Sequence, residues 1–478
     1  MVIVLCGGGG LDDQQIEPPG LRRTMHGFGA LLITLSCLSP TIGVFVVGSD
    51  VIRQAGSATF LCFAAAALLG VAMANVYAEL AAAFPETGGE YTIIGRTLGP
   101  ALGFAALGLN LASFSIAQAL SGLGVAGYLS VLAPGLPAVP TALALVAIVT
   151  GVAVLNIRVN ALITGLFLAL EVSALALVTL LGLLHPHRAV SEVVFHATNL
   201  AAHGGLAPVP LVVFGVAAAS AVYAFDGYGS VVFLGEDMHD APRRVARVVF
   251  WTLGLAALTE LLPVLGVLVG ARDLKALIAS PTPVAQFVLD SGGPWVAKAM
   301  SIGVALAIFN AMIAMALMAG RQLFSTGRDR VWPAPISRVL ARTHARFHSP
   351  WAATLAMGAT SLAWCFVDLK LLVIVIANGT AVVYAGLCVA AIVGRRGGAT
   401  AHAPYRMPLF PLYPIAALIA LGGVMWADAS DSDGRAGLVA TIAIIAGWVL
   451  YYWLVLKGRG AWAHRGPHEP AAAARTGE

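Results

Sequence analysis

Three carboxylic acids stand inside stretches that are otherwise apolar: Glu171, Asp226 and Glu260. An acid placed among apolar residues long enough to cross a bilayer is costly, so each is a functional hypothesis with a partner to be named. Asp226 sits in Tyr223-Ala224-Phe225-Asp226-Gly227-Tyr228-Gly229-Ser230, where it could hold an amine or carry a proton. Its plainer role is to tie down unwound backbone by a hydrogen bond. Glu260 precedes Leu261-Leu262-Pro263 and has the alternative task of satisfying carbonyls that the proline leaves free. Glu171 is expected to face the helix bundle, neutral or relaying protons.

Two Pro/Gly breaks accompany these acids. One reads Leu38-Ser39-Pro40-Thr41-Ile42-Gly43-Val44-Phe45 and the other surrounds Asp226-Gly227. Proline removes a backbone donor and crowds the preceding turn, and glycine tolerates unwound backbone. The bland reading of such breaks is a kink or a packing notch. Matched breaks in two halves of a chain point instead to inverted repeats with a substrate site between them. There, helix N-termini can receive a carboxylate and free carbonyls an ammonium or a cation.

The elements that carry these residues follow from composition. Of 478 residues 59% are hydrophobic and 10% charged, and the mean hydropathy is +0.88. A soluble domain has roughly 45–50% apolar and about 25% charged residues. The expected solvent is lipid, and the expected class is all-α integral membrane. Twelve stretches approach the ~20 apolar residues that a spanning helix needs: 27–51, 57–83, 100–131, 138–156, 160–184, 208–234, 247–270, 297–320, 351–368, 370–394, 409–427 and 436–456. With both termini cytoplasmic, 20 Lys and Arg fall inside and 7 outside, which accounts for all 27 and fits the positive-inside rule. The expected organisation is a cytoplasmic arm 1–26, a core 27–456 and a cytoplasmic tail 457–478. The first residues lack the basic start and apolar core of a signal peptide.

Other classes find little support. No basic run interleaves with aromatics, so nucleic acid is not an expected partner. The five cysteines form no CxxC pair, and the 11 histidines fall in predicted loops or tails, so no metal, haem or other cofactor is expected. No clustered nucleophile or metal set suggests an enzyme, and no GxxxxGK[ST] loop suggests ATP use.

Four segments resemble the amino acid–polyamine–organocation (APC) permeases. They are Gly43-Val44-Phe45; Tyr77-Ala78-Glu79-Leu80-Ala81-Ala82-Ala83-Phe84-Pro85-Glu86-Thr87-Gly88-Gly89-Glu90-Tyr91; the run from Tyr223 to Gly235-Glu236-Asp237 and Ala241-Pro242-Arg243-Arg244; and Gly320-Arg321-Gln322-Leu323-Phe324-Ser325-Thr326-Gly327-Arg328-Asp329 with Trp332-Pro333 and Ser349-Pro350. The resemblance covers about 27–456, and the second segment is its most specific part. Two positions depart from the family's helix-1 pattern: Thr41 replaces the first glycine and Ile42 the small residue.

This resemblance implies a LeuT-type fold with twelve transmembrane helices: a 5+5 inverted repeat, about 27–184 and 208–394, plus two C-terminal helices at 409–456. It implies a permease of the cytoplasmic (inner) membrane that moves amino acids or related amines by alternating access. Backbone of Thr41, Ile42, Gly43 and Val44 would form one wall of the substrate site, with Tyr223, Ala224, Phe225, Asp226 and Gly227 as the other. Tyr223 occupies the place of a gating aromatic, and Tyr228 is a second gating candidate. Asp226, Glu260 and Glu171 are the proton-coupling candidates. Residues 302–319 contain no Ser or Thr, which disfavours a sodium site on that helix and favours proton symport or exchange. Asn110, Gln118, Asn310 and Met315 are expected near the cavity, with interhelical hydrogen bonding as the other role of Asn310. Glu79, Glu86 and Glu90 are expected to be structural or gate-forming. A sensor or a channel without concentrative transport is the alternative function.

Overall fold

In the computed structural model, residues 25–132, 135–155, 157–201, 205–367, 369–430, 432–458 and 462–464 are described. The expected arm (1–24) and most of the expected tail (459–461 and 465–478) lie outside them. The first helical stretch is discontinuous: α1 (Gly27–Leu38), a π-helical segment (Ile42–Gly48) and α2 (Ser49–Ala55). Then come α3 (Thr59–Ala83), α4 (Glu90–Leu98), α5 (Pro100–Leu132), α6 (Ala138–Ala153) and α7 (Ile157–Leu183). A short α8 (Val190–Phe195) and a hairpin of β1 (Thr198–Leu200) and β2 (Leu206–Pro208) lead to α9 (Leu211–Ala224) and a 3-10 segment (Tyr228–Leu234). The rest is α10 (Ala241–Gly270), α11 (Leu274–Ala279), α12 (Pro283–Arg328), α13 (Ala334–Leu340), α14 (Trp351–Trp364), α15 (Leu369–Arg396), α16 (Leu412–Ser430) and α17 (Ser432–Tyr451).

Eight helical runs among the described residues are long and apolar enough to cross a membrane, and Ala138–Ala153 and Leu412–Trp426 are shorter apolar helices. Large apolar side chains face outward: Phe28, Leu162, Leu211, Trp295 and Leu454 are each more than 70% exposed. Polar side chains such as Thr34, Glu171, Glu260, Asn310 and Arg321 are buried. That arrangement suits a lipid surround, in which outward apolar surface carries no penalty and interior polar groups find each other.

Both breaks have local causes. Ser39 closes α1 with φ +52°, and Pro40 behind it keeps Ser39 out of the right-handed helical region. The chain recovers when Ile42 and Gly43 both donate their N–H to the Ser39 carbonyl, at 2.9 and 3.2 Å. α9 ends when Gly227 adopts φ +119°, a value that only glycine reaches without strain. In α12, Gly293 (φ +79°) before Pro294 is non-helical and divides a first short helix from a second that begins close to the predicted 297.

The outer end of the first break is covered. The β1–β2 hairpin seats on Gly56, where an added Cβ would come 2.3 Å from the Thr198 carbonyl. Ser57 Oγ donates to the Thr198 carbonyl and receives the Thr198 N–H, while Asn199 donates to the Gln54 carbonyl. The predicted outer loop 185–207 is therefore partly ordered secondary structure.

Candidate substrate site between the two helix breaks

The two breaks meet. A Cβ on Gly227 would lie 2.8 Å from Cα and 3.0 Å from N of Leu38, so only glycine lets the backbone before Ser39 approach the second break. Thr41, Gly43 and Val44 are buried and Ile42 is half-buried. Across from them Ala224 and Phe225 are buried, whereas Tyr223, Asp226 and Gly227 are half-buried. Tyr228, the other gating candidate, is 1% exposed and stands edge-to-face on Tyr77 at 6.0 Å.

Asp226 is held by α15. Tyr384 donates its hydroxyl to Asp226 Oδ1 at 2.6 Å, and Thr380 Oγ1 stands 3.5 Å from Oδ2. The sequence pointed to Asp226 but not to these partners, more than 150 residues away. The signal was present in Thr380 and Tyr384, polar groups one helical turn apart on an apolar helix.

Glu171 and Glu260 flank the first break. Glu171 Oε1 accepts the Thr41 N–H at 2.8 Å and the Ser39 hydroxyl at 3.0 Å, so a side chain of α7 supplies what the broken helix lacks. Glu260 lies against Gly43: a Cβ there would stand 2.6 Å from Glu260 Oε1. Neither Glu260 oxygen has a hydrogen-bond partner. The expected alternative, that Glu260 satisfies carbonyls freed by Pro263, is not seen.

The residues expected near the cavity bind other helices. Asn110 donates to Glu90 Oε2 at 2.7 Å, Gln118 to the Met312 carbonyl at 2.6 Å, and Asn310 to Ser36 Oγ at 3.0 Å. Met315 packs on the core. Among the described residues no group of three or more His, Cys, Asp or Glu could hold a metal ion.

Towards the predicted cytoplasmic end, the resemblance-bearing segments lock onto one another. Glu236 accepts the Thr87 N–H and hydroxyl at 3.0 and 2.9 Å, and both of its oxygens receive Arg328 Nη1 at 2.7 Å. Arg321 Nε donates to Asp237 at 2.5 Å, with both side chains nearly inaccessible. Glu79 takes the Met407 N–H and the Thr400 hydroxyl, and Arg395 stands 3.3 Å away. Tyr77, within α3, donates to Glu90 in the linker between the second and third predicted spans. Burial pushes the Glu90 carboxyl up to about 7, against the hydrogen bonds from Tyr77 and Asn110. Burial likewise raises Glu86, an effect that Arg96 at 2.9 Å offsets in part. For Arg328 burial disfavours the charge, but Glu236 and Asp329 outweigh it and hold the guanidinium above its ordinary value.

An open cleft of about 580 Å³ lies elsewhere, between Pro242, Arg247, Trp251 and Tyr405.

The sequence matches a family described as "Amino acid permease" over residues 27–451. The chain belongs to that family. As a permease it is a multi-pass membrane protein. Relatives include an uncharacterized transporter, Rv1999c, of Mycobacterium tuberculosis (strain ATCC 25618 / H37Rv), 27% identical over 73% of this chain and 74% of that one. The branched-chain amino acid permease BcaP of Bacillus subtilis (strain 168) is 25% identical over 84% of this chain and 86% of its own. The methylthioribose transporter of the same organism is 24% identical over 92% and 94%.

Proposed function

We propose that this permease is a secondary active transporter that carries amino acids or related amines across the cytoplasmic membrane by alternating access, coupled to protons or by exchange. The observation that carries the reading is the meeting of the breaks: Gly227 against Leu38, with the half-buried Asp226 carboxylate beside them. Backbone amides after Ser39 would receive a substrate carboxylate by exchanging their present acceptors, Glu171 for Thr41 and the Ser39 carbonyl for Ile42 and Gly43. Asp226 and free carbonyls offer a place for its amine. Ile42, Val44, Tyr223, Ala224 and Phe225 would meet an apolar or aromatic portion.

In this reading the chain has twelve spanning helices, arranged as a 5+5 inverted repeat (about 27–184 and 208–394) and two further helices (about 409–456). Both termini face the cytoplasm. The names of the relatives support an amino acid substrate, among them the branched-chain permease and a human protein named cationic amino acid transporter 4. The Glu236–Arg328–Thr87 and Asp237–Arg321 contacts are proposed as the closed inner gate, since they join the segment after the second break to the ends of α3 and α12.

The test is uptake of radiolabelled leucine, arginine, putrescine and ethanolamine by purified protein in liposomes, with and without an inside-alkaline gradient. Saturable uptake of one class supports the proposal. Folded protein that neither accumulates nor exchanges any of them argues for a sensor.

A further inference from the structure

The first break carries buried oxygen atoms that nothing satisfies. Glu260 is 0% exposed and both of its carboxyl oxygens are unpartnered. Glu171 is 1% exposed; Oε1 is used on Ser39 and Thr41, but Oε2 has no partner. Both carboxyls lie against the same break, Glu171 on Ser39 and Thr41 and Glu260 on Gly43. An ionised carboxylate buried without a partner is among the most expensive groups a protein can contain.

Among the described residues, no cation pairs with either carboxyl. α1 and the π-helical segment carry no basic residue, α12 has none between Lys298 and Arg321, and α10 has none between Arg247 and the end of the helix. The other titratable groups on the packed elements are engaged elsewhere. Cys37 faces Ser230, Cys62 the Phe214 carbonyl, Tyr77 donates to Glu90, and Glu79 binds Met407 and Thr400. Tyr223 lies towards Asp226. The pair therefore requires a cation from solution.

We propose that Glu171 and Glu260 form a proton-binding site on the first helix break, and that this pair rather than Asp226 carries the proton coupled to transport. The inference rests on the transport reading for its second half only. The donor set favours the proton over an alkali ion, because residues 302–319 offer no hydroxyl to a metal. Asp226, by contrast, already has Tyr384 and Thr380. The step is an acid–base equilibrium. One O–H bond forms on a carboxylate oxygen with a proton taken from the outer water, and it breaks when the proton leaves to the cytoplasm. Because Glu171 also holds the Thr41 N–H and the Ser39 hydroxyl, loss of the proton places two unpaired anions at the break. The broken helix must then move to let water in, and that movement links proton release to the substrate wall at Thr41–Val44.

The experiment has two arms, using wild type, Glu171→Gln and Glu260→Gln. Glutamine keeps the size of each side chain and can still accept the Ser39 and Thr41 hydrogen bonds. In the first arm, infrared difference spectra of the purified protein between neutral and alkaline pH should show a protonated-carboxyl band that each variant loses or shifts. A band unchanged in both variants, or no band in wild type, overturns the site. In the second arm, proteoliposomes are loaded with leucine or arginine. Each variant should keep exchange of the labelled amino acid but accumulate no more with an inside-alkaline gradient than without it. Gradient-driven accumulation that survives in both variants, or accumulation driven by sodium and not by pH, overturns the coupling role. If wild type exchanges neither amino acid, the transport reading fails, and the infrared arm alone decides the proton site.

Discussion

Arg321→Met removes the positive half of a nearly inaccessible ion pair. Arg321 Nε reaches Asp237 at 2.5 Å with side-chain exposures of 2% and 3%, and Nη1 donates to the Leu317 carbonyl at 3.1 Å. The Asp237 carbonyl receives the Met25 N–H, so the pair also fixes the entry to α1. Taking one partner from such a pair leaves a buried carboxylate uncompensated, at a cost of about 3–5 kcal/mol. At about 1.4 kcal/mol per factor of ten, the folding equilibrium shifts by roughly two to three and a half decades. Replacing both partners is expected to cost far less, because an apolar pair of similar volume is often neutral. The assay is equilibrium unfolding in mixed detergent–SDS micelles, followed by tryptophan fluorescence, for wild type, Arg321→Met, Asp237→Leu and the double variant. A single variant within about 1 kcal/mol of wild type, or a double variant as unstable as the sum of the singles, would refute the reasoning.

Further outcomes follow from other contacts. Gly227→Ala sets a Cβ 2.8 Å from Leu38 Cα at φ +119°, so uptake should fall below detection while protein still reaches the membrane; a variant with normal uptake removes the close approach from the account. Tyr384→Phe deletes the donor to Asp226, a charge-assisted hydrogen bond worth about 1.5–3 kcal/mol, and should raise KM by roughly tenfold or more, read from uptake at graded substrate concentrations. For Glu90 the folded carboxyl is raised to about 7 from 4.5. Its neutral form is favoured by folding, so that stabilisation is complete below about pH 4.5 and is lost as pH rises through 7. The loss is roughly 3 kcal/mol, from about 1.4 kcal/mol per pK unit. Unfolding midpoints measured across this window should fall in wild type and stay flatter in Glu90→Gln.

The breaks were legible in the sequence because single residue types dictate them. Pro40 forbids a helical Ser39, and Gly227 supplies a φ that other residues avoid. Apolar length placed the helices, as with α3, expected at 57–83 and found at Thr59–Ala83. Partners were not legible. Polarity at 171 or 260 says that burial is costly but not which backbone the acid meets, and Glu171 binds Thr41 across 130 residues. For the same reason Asn110 and Gln118 read as cavity groups, although each bonds a neighbouring element; Asn310 makes the interhelical bond given as its other role. The β1–β2 hairpin was missed because its strands are three residues each, too short for a period to register.

The claim that substrate binds where the breaks meet is tested most directly at Ile42, which is half-buried on the proposed wall. Ile42→Cys, in a background with the five native cysteines replaced, is alkylated in proteoliposomes with a membrane-permeant maleimide, with and without transported amino acid. The account predicts that a transported amino acid slows alkylation in proportion to its occupancy and that a non-transported one does not. Equal rates with and without a saturating transported substrate would contradict it.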